Sequence, residues 1–253
     1  MNLRLNARVC VVTGAARGIG YAIAQRFGRE GARVACVDVS ARRLEPTVAE
    51  ISAEGIEARA YAVDVGRRDD VGAMFAHIEA DFAAPVAVLV NNAVWARFQP
   101  LDEIDGETID QMFAVGVNGI VWTMQAAAPQ MARRGGGAIV NLSSVSAFHP
   151  AKDSIAYSAL KAGVVGLSRA AAAELSPKKI RVNVIAPGMI GTKASVAQFD
   201  ETTLATRQSE MPLGRFGEPE EIAALAAFLA SDDASYLQGA VITADGGWTV
   251  PAR

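Results

Sequence analysis

What the chain lacks narrows its function first. Across 253 residues it carries two cysteines, two histidines and an aromatic share of 6%. Cys10 and Cys36 both sit in apolar, strand-like runs, so they read as buried thiols acting as small hydrophobes, with no disulfide framework. The histidines, His77 and His149, are far apart in pattern and no Cys/His metal spacing is present, so no metal is expected. Its 24 basic and 27 acidic residues are interspersed and leave a net charge of -3, which supplies no basic stripe for phosphate backbones; no nucleic-acid partner is expected. No apolar run reaches the roughly 18 uncharged residues of a spanning helix. The segment from Met1 to Arg8 has no apolar stretch ending in a small-residue cleavage site. The expectation is a cytoplasmic protein with no membrane partner.

Hydrophobic residues nevertheless make up 51% of the chain, and without a bilayer they must line an interior. Short β-branched runs at 8–12, 33–37, 57–63, 86–90, 138–142, 181–185 and 240–243 read as strands. Helical patterns near 18–30, 41–54, 67–82, 107–133, 154–176 and 218–230 fall between them. The strands are continuous apolar runs, as strands covered on both faces should be. The predicted fold is α/β: a Rossmann-type doubly wound parallel sheet of about seven strands with helices on both faces, one domain over 1–253. The stretch 188–212 has the longest gap in strand signal and is the candidate substrate lid.

The first strand runs into Thr13-Gly14-Ala15-Ala16-Arg17-Gly18-Ile19-Gly20 and then a helix. Glycine permits a tight turn and close backbone approach to a pyrophosphate, while the amides and dipole of a helix start attract its charge. The spacing departs from G-x-G-x-x-G, so position in the chain carries the argument. The second strand ends at Asp38, placed to accept hydrogen bonds from an adenosine ribose and to repel a 2′-phosphate. NAD is therefore expected over NADP. Two other readings stay open at this stage: Asp38 as a cap on the next turn, and Arg17, Arg42 or Arg43 as a phosphate contact.

Tyr157-Ser-Ala-Leu-Lys161 lies in a long helical pattern, where residues four apart share a face. A nearby ammonium favours phenolate and brings a tyrosine toward working pH as an acid/base. Asn141-Leu-Ser-Ser144 closes the fifth strand, Asn91-Asn92-Ala93 the fourth, and Pro187-Gly188-Met189-Ile190-Gly191-Thr192 follows the sixth, so four strand ends converge on one crevice.

With these motifs in this order, nearly the whole chain resembles the short-chain dehydrogenase/reductase family. The resemblance implies that Tyr157 is the acid/base, that Lys161 lowers its pKa and binds the nicotinamide ribose, and that Ser144 positions the substrate carbonyl. It implies that Asn118 holds a water in a proton relay through Lys161. It assigns Asp64 and Val65 to the adenine, and Asn91 and Ala93 to the cofactor edge. The run from Pro187 and Gly188 falls on the nicotinamide side, with Ile190 and Thr192 at the carboxamide. One departure stands out: Val94 and then Trp95 follow Asn-Asn-Ala, where the family usually has glycine. A modest backbone adjustment with chemistry retained is expected there.

Trp95, Val145, His149, Met189 and Phe199, after strand ends or in the lid, are candidates for the substrate wall, together with Ser144 and Tyr157. Their apolar character favours a neutral, moderately hydrophobic alcohol or ketone. The run 239–248, after the apolar helix at 222–230, resembles a family segment that packs between subunits and implies a homotetramer; completing the monomer core is the other reading. Two rival functions are an NADPH-dependent acyl-thioester reductase, which Asp38 opposes, and a dinucleotide-sensing or scaffolding protein, which would be expected to lack Tyr157 or Lys161.

Overall fold

The computed structural model describes residues 3–197 and 200–250. Its centre is a seven-stranded sheet of parallel strands: β1 Val9–Thr13, β2 Arg33–Asp38, β3 Ala58–Ala62, β4 Val86–Asn91, β5 Gly137–Leu142, β6 Ile180–Pro187 and β7 Val241–Ala244. The spatial order is β3-β2-β1-β4-β5-β6-β7. From β1 the chain builds outward to β3, then returns to the other side of β1 with β4, so the order reverses between these two strands. The crevice outside their carboxyl ends is where ligands of such sheets bind.

The helices are α1 Gly18–Arg29, α2 Ala41–Ala53, α3 Arg68–Phe82, α4 Gly106–Phe113, α5 Gly119–Arg133, α6 Ile155–Leu175, α7 Lys193–Val196, α8 Glu201–Ser209 and α9 Pro219–Ala230. Alternation along β1 explains why both faces are covered: Cys10 and Val12 point into one cluster with Ile23 and Phe27 of α1 and Ile222 and Leu229 of α9. Val9 and Val11 point into the other, with Phe75 and Ile78 of α3, Met131 of α5 and Leu160 of α6. Burying each such side chain is worth about 1.5–3 kcal/mol, and burial on both faces leaves the central strands no slack in register. Both cysteines are free and fully enclosed, and burial pushes each thiol up to about 12.

Two expectations need correcting. β3 is an edge strand with no fully buried residue, not a continuous buried run, because among the described residues no strand pairs beyond it, and Arg59 and Ala60 are exposed. The single helix expected over 107–133 is two, separated by a π-turn at Ala114–Asn118. Buried Gly116 lies in that turn so close to α6 that a Cβ on it would come within 2.5 Å of Leu160 Cδ1. The wider turn lets the two helices meet α6 at that closeness, as such bulges commonly do near functional sites.

Candidate active site

The phosphate turn is stitched to the end of β4. Thr13 Oγ1 donates to the Val90 carbonyl at 3.3 Å and accepts from the amides of Asn92 and Ala93 at 3.0 and 3.1 Å. The Asn92 amide donates to the carbonyls of Thr13 and Gly14 at 3.0 and 3.2 Å. Gly14 has φ +66°, and a Cβ there would stand 2.8 Å from Asn92 Nδ2; a Cβ on Gly20 would stand 2.1 Å from the Gly14 carbonyl oxygen. Only glycine fits this cradle. Arg17, the residue before α1, is extended and makes no side-chain cap, so the first-turn amides are left for an outside acceptor.

A crevice of about 1100 Å³ opens beside this turn, lined by Gly14, Arg17–Ile19, Asp38, Asp64–Val65, Asn92–Trp95 and Thr192. Its size and its shape, a glycine cradle at one point and carboxylates at β2 and β3, fit a dinucleotide. Asp38 caps the next turn and also lines the crevice. Its carboxylate accepts from the Ser40 amide at 3.0 Å and meets Arg43 at 3.6 Å, and its side chain also faces the crevice. Asp64 accepts from the Gly66 amide at 2.9 Å, which fixes its turn beside Val65.

The reacting groups are set by β5 and α6. Lys161 is buried; its Nζ donates to the Leu142 carbonyl at 2.8 Å, and its own carbonyl accepts from Ser143 Oγ at 2.8 Å. The lysine is thus clamped at both ends to the carboxyl end of β5. Its Nζ lies 5.7 Å from the centre of the Tyr157 ring. Behind them a buried polar chain ties the elements: Thr123 Oγ1 donates to Asn91 Oδ1 at 2.7 Å, Asn91 Nδ2 to Asn141 Oδ1 at 2.9 Å and Asn141 Nδ2 to Ser168 Oγ at 2.8 Å. Each member is satisfied, so the network fixes α5, β4, β5 and α6 against one another.

Burial brings Lys161 down from 10.5 to about 8. Burial also moves the Tyr157 phenol above its ordinary value, with the Ser144 hydroxyl pulling it the other way. The expectation is that the neighbouring ammonium, together with the charge of oxidised nicotinamide, brings the phenol down; among the protein's own groups, loss of water around the ring dominates.

Several expected site residues fall elsewhere. Asn118 is exposed at the end of the π-turn and, among the described residues, its side chain makes no hydrogen bond, while its neighbours Gly116 and Val117 face α6. Among the described residues no contact ties it to Lys161. The Asn91 side chain belongs to the buried network, and Asn92 takes the place beside the crevice. Gly20 supports the turn from behind. Pro187 is buried, Gly188 packs on Asp245 and donates to the Ala244 carbonyl at 3.0 Å, and the Ile190 side chain enters the core, which leaves Gly191 and Thr192 as the crevice residues of that run. Val145 is 2% exposed and so cannot form an open substrate wall. Met189 is half-buried beside Arg207. Phe199 lies outside the described residues. Trp95 lines the crevice, and His149 is exposed with its ring edge-on to Trp248. Val94, the departure from glycine, is accommodated by exposure: 43% of it remains accessible at the crevice edge.

A family model described as enoyl-(acyl carrier protein) reductase matches residues 14–249. D-threitol dehydrogenase of Mycolicibacterium smegmatis is 38% identical over 98% of this chain and 95% of its own length. The 3-oxoacyl-[acyl-carrier-protein] reductase of Thermotoga maritima is 38% identical over 98% of this chain and 100% of its own. The crystal structure of a putative short-chain alcohol dehydrogenase from Sinorhizobium meliloti superposes with a TM-score of 0.94 at 34% identity, covering 100% of both chains. The chain belongs to the short-chain dehydrogenase/reductase family. It is an oxidoreductase of the alcohol dehydrogenase/carbonyl reductase kind. Among family members of similar structure, L-sorbose reductase of Gluconobacter frateurii was solved with NADPH and L-sorbose, at 30% identity and a TM-score of 0.93 over 100% of both chains. A 7α-hydroxysteroid dehydrogenase was solved with NADH, at 32% identity and a TM-score of 0.93 over 97% of this chain and 96% of that one. The family's crevice thus takes nicotinamide dinucleotides of both kinds.

Sequence reasoning missed Asn92, Ser143, Phe98 and Trp248. The first two were visible as doubled residues at strand ends, where alternation sends one neighbour into the sheet and the other to its rim. Phe98 packs its ring 5.1 Å from that of Tyr157, a contact between segments that no local pattern announces.

Proposed function

We propose that this family member moves a hydride between NAD(H) and a neutral, moderately hydrophobic secondary alcohol or ketone, with Tyr157 as acid/base. The observation that carries this reading is the clamp at the end of β5: Lys161 held on the Leu142 carbonyl at 2.8 Å and within 5.7 Å of the Tyr157 ring, with Ser144 on the same strand end. Bound nicotinamide supplies or accepts the hydride and, when oxidised, adds a positive charge near the phenol. Ser144 holds the substrate oxygen. Tyr157 gives that oxygen a proton in reduction and takes one in oxidation. Lys161 stabilises the phenolate and orients the cofactor ribose. Gly14, Gly18 and Ile19 cradle the pyrophosphate, Asp64 and Val65 the adenine, and Ala93 and Thr192 the nicotinamide half.

NAD is preferred because Asp38 presents a carboxylate to the ribose; two like charges about 4 Å apart oppose by a few kcal/mol at an effective dielectric near 20. Its partner Arg43 is already engaged with it. The segment 188–212 acts as the lid, a role supported by α8, which buries none of its residues. The assembly is a homotetramer. Half of α9 is buried inside the monomer, so the apolar surface that this part of the chain leaves for subunit contact is half-buried Leu225 and Phe228 and fully exposed Tyr236. The setting is cytoplasmic; no described helix is long and apolar enough to cross a membrane.

A panel of secondary alcohols and ketones assayed with both cofactors tests the reading. Tyr157→Phe is expected to lose about 10²–10⁴-fold in turnover. Equal kcat/KM with NADPH and NADH would remove the NAD assignment, and unimpaired turnover by Tyr157→Phe would remove the acid/base.

A further inference from the structure

At the edge of the sheet opposite the crevice, the amino ends of β1, β5, β6 and β7 meet around a second cavity, of about 510 Å³. Its wall carries four cations, Arg8, Arg134, Lys179 and Arg181, and one carboxylate, Asp232. The turns that bring them are packed on one another. The Gly137 amide donates to the Lys179 carbonyl at 3.1 Å, and a Cβ on Gly136 would come within 2.5 Å of that same oxygen. Two of the cations close the end of α9: Arg181 donates to the Leu229 and Ser231 carbonyls, each at 2.8 Å, and Arg8 to the Ala230 carbonyl at 3.3 Å and Asp232 at 2.6 Å. The other two are exposed and less occupied. The Arg134 side chain makes one bond, from Nη1 to the Gly136 carbonyl at 2.8 Å. Among the described residues the Lys179 ammonium and the Ser235 hydroxyl make none. Ser176 and Gln238, the remaining polar side chains of the wall, are bound to each other and to backbone groups.

Cations suit this edge because α5, α6 and α9 all end at it, and a helix end carries about half a negative charge. Three such ends and Asp232 offset about 2.5 of the four positive charges, so an excess of about 1.5 faces the cavity. The adjoining Asp233 is taken by Arg4 at 3.4 Å. The cations also act on one another: after loss of water, the charge of Arg8 is the next cause that lowers both Arg134 and Arg181, against the pull of Asp232. A multiply charged oxyanion would replace that repulsion with charge-assisted bonds from the Arg134 fork and the Lys179 ammonium. The cavity lies within the roughly 300–1,000 Å³ of small-molecule sites, and the wall at Gly135–Gly137 has no side chains, which leaves room for more than a bare ion.

We propose that this cavity binds a small molecule by its phosphate group, gripped by Arg134 and Lys179, at a site separate from the cofactor crevice. The test is calorimetric titration of the full chain with inorganic pyrophosphate at fixed ionic strength, with inorganic phosphate as the less charged probe. The crevice is first filled with whichever of NADH and NADPH binds more tightly, so the outcome does not depend on the NAD assignment. The wild type should bind pyrophosphate saturably, and phosphate about tenfold more weakly. The double variant Arg134→Gln/Lys179→Gln should bind pyrophosphate about tenfold or more weakly, and Lys179→Gln alone about threefold more weakly. Both side chains are exposed, and the single variant keeps the test in force if the double one folds poorly. No saturable binding by the wild type, or an affinity that neither variant moves, overturns the site.

Discussion

Lys161 should cost the folded protein stability in a way that depends on pH. Its amine is drawn from 10.5 in water to about 8 by burial, a shift worth about 3 kcal/mol at 1.36 kcal/mol per unit. The folded pKa lies below the unfolded one, so the unfolded chain binds the extra proton. Stability from this group is therefore fully present above 10.5 and lost as pH falls through about 8. Lys161→Met removes the titration while keeping a long apolar side chain. It also deletes the bond to the Leu142 carbonyl, a cost of about 1–3 kcal/mol if that oxygen is left unpaired. The deletion shifts the variant by a constant, whereas the titration changes with pH, so the difference between two pH values isolates the burial effect. Urea unfolding of both proteins at pH 7 and pH 10 should show the variant gaining about 2–3 kcal/mol relative to wild type at the lower pH. A difference that is the same at both values would refute the placement of a buried amine at this position. The same substitution should abolish most turnover, so the residue that destabilises the fold is one that function retains.

Asn118→Ala should keep kcat within about twofold, because the side chain is exposed and, among the described residues, hydrogen-bonded to nothing; a loss of two orders of magnitude would mean that the side chain takes part in the working enzyme. Gly14→Ala must place a Cβ at positive φ and 2.8 Å from Asn92 Nδ2. It should lower stability by about 1–3 kcal/mol and weaken NADH binding by about tenfold or more, read by fluorescence titration and thermal melting; wild-type affinity would show that the turn does not bear on the cofactor.

The order of strands and helices, the glycine turn, Asp38 and the Tyr157/Lys161 pair were legible because each is a local pattern: apolar runs, a helix start, residues four apart on one face. The exposure of β3 was not legible, since an edge and a centre differ only in what pairs beyond them. Nor was the fate of Asn118. Helical periodicity alone cannot register the extra residue of a π-turn, and that turn goes with the packing of Gly116 on Leu160 of a distant helix.

The same division explains the site. Sequence by itself determined which chemistry is carried, because an amine, a phenol and a hydroxyl have their reactivity wherever they stand. Tertiary structure alone decided that Asn91 serves the core while Asn92 serves the crevice, that Val145 is enclosed, and that burial raises Tyr157 while lowering Lys161. It also brought Phe98 from a remote stretch onto the Tyr157 ring, and Trp248 onto His149. Burial and contact across the chain are properties of the packed whole, and no window of residues contains them.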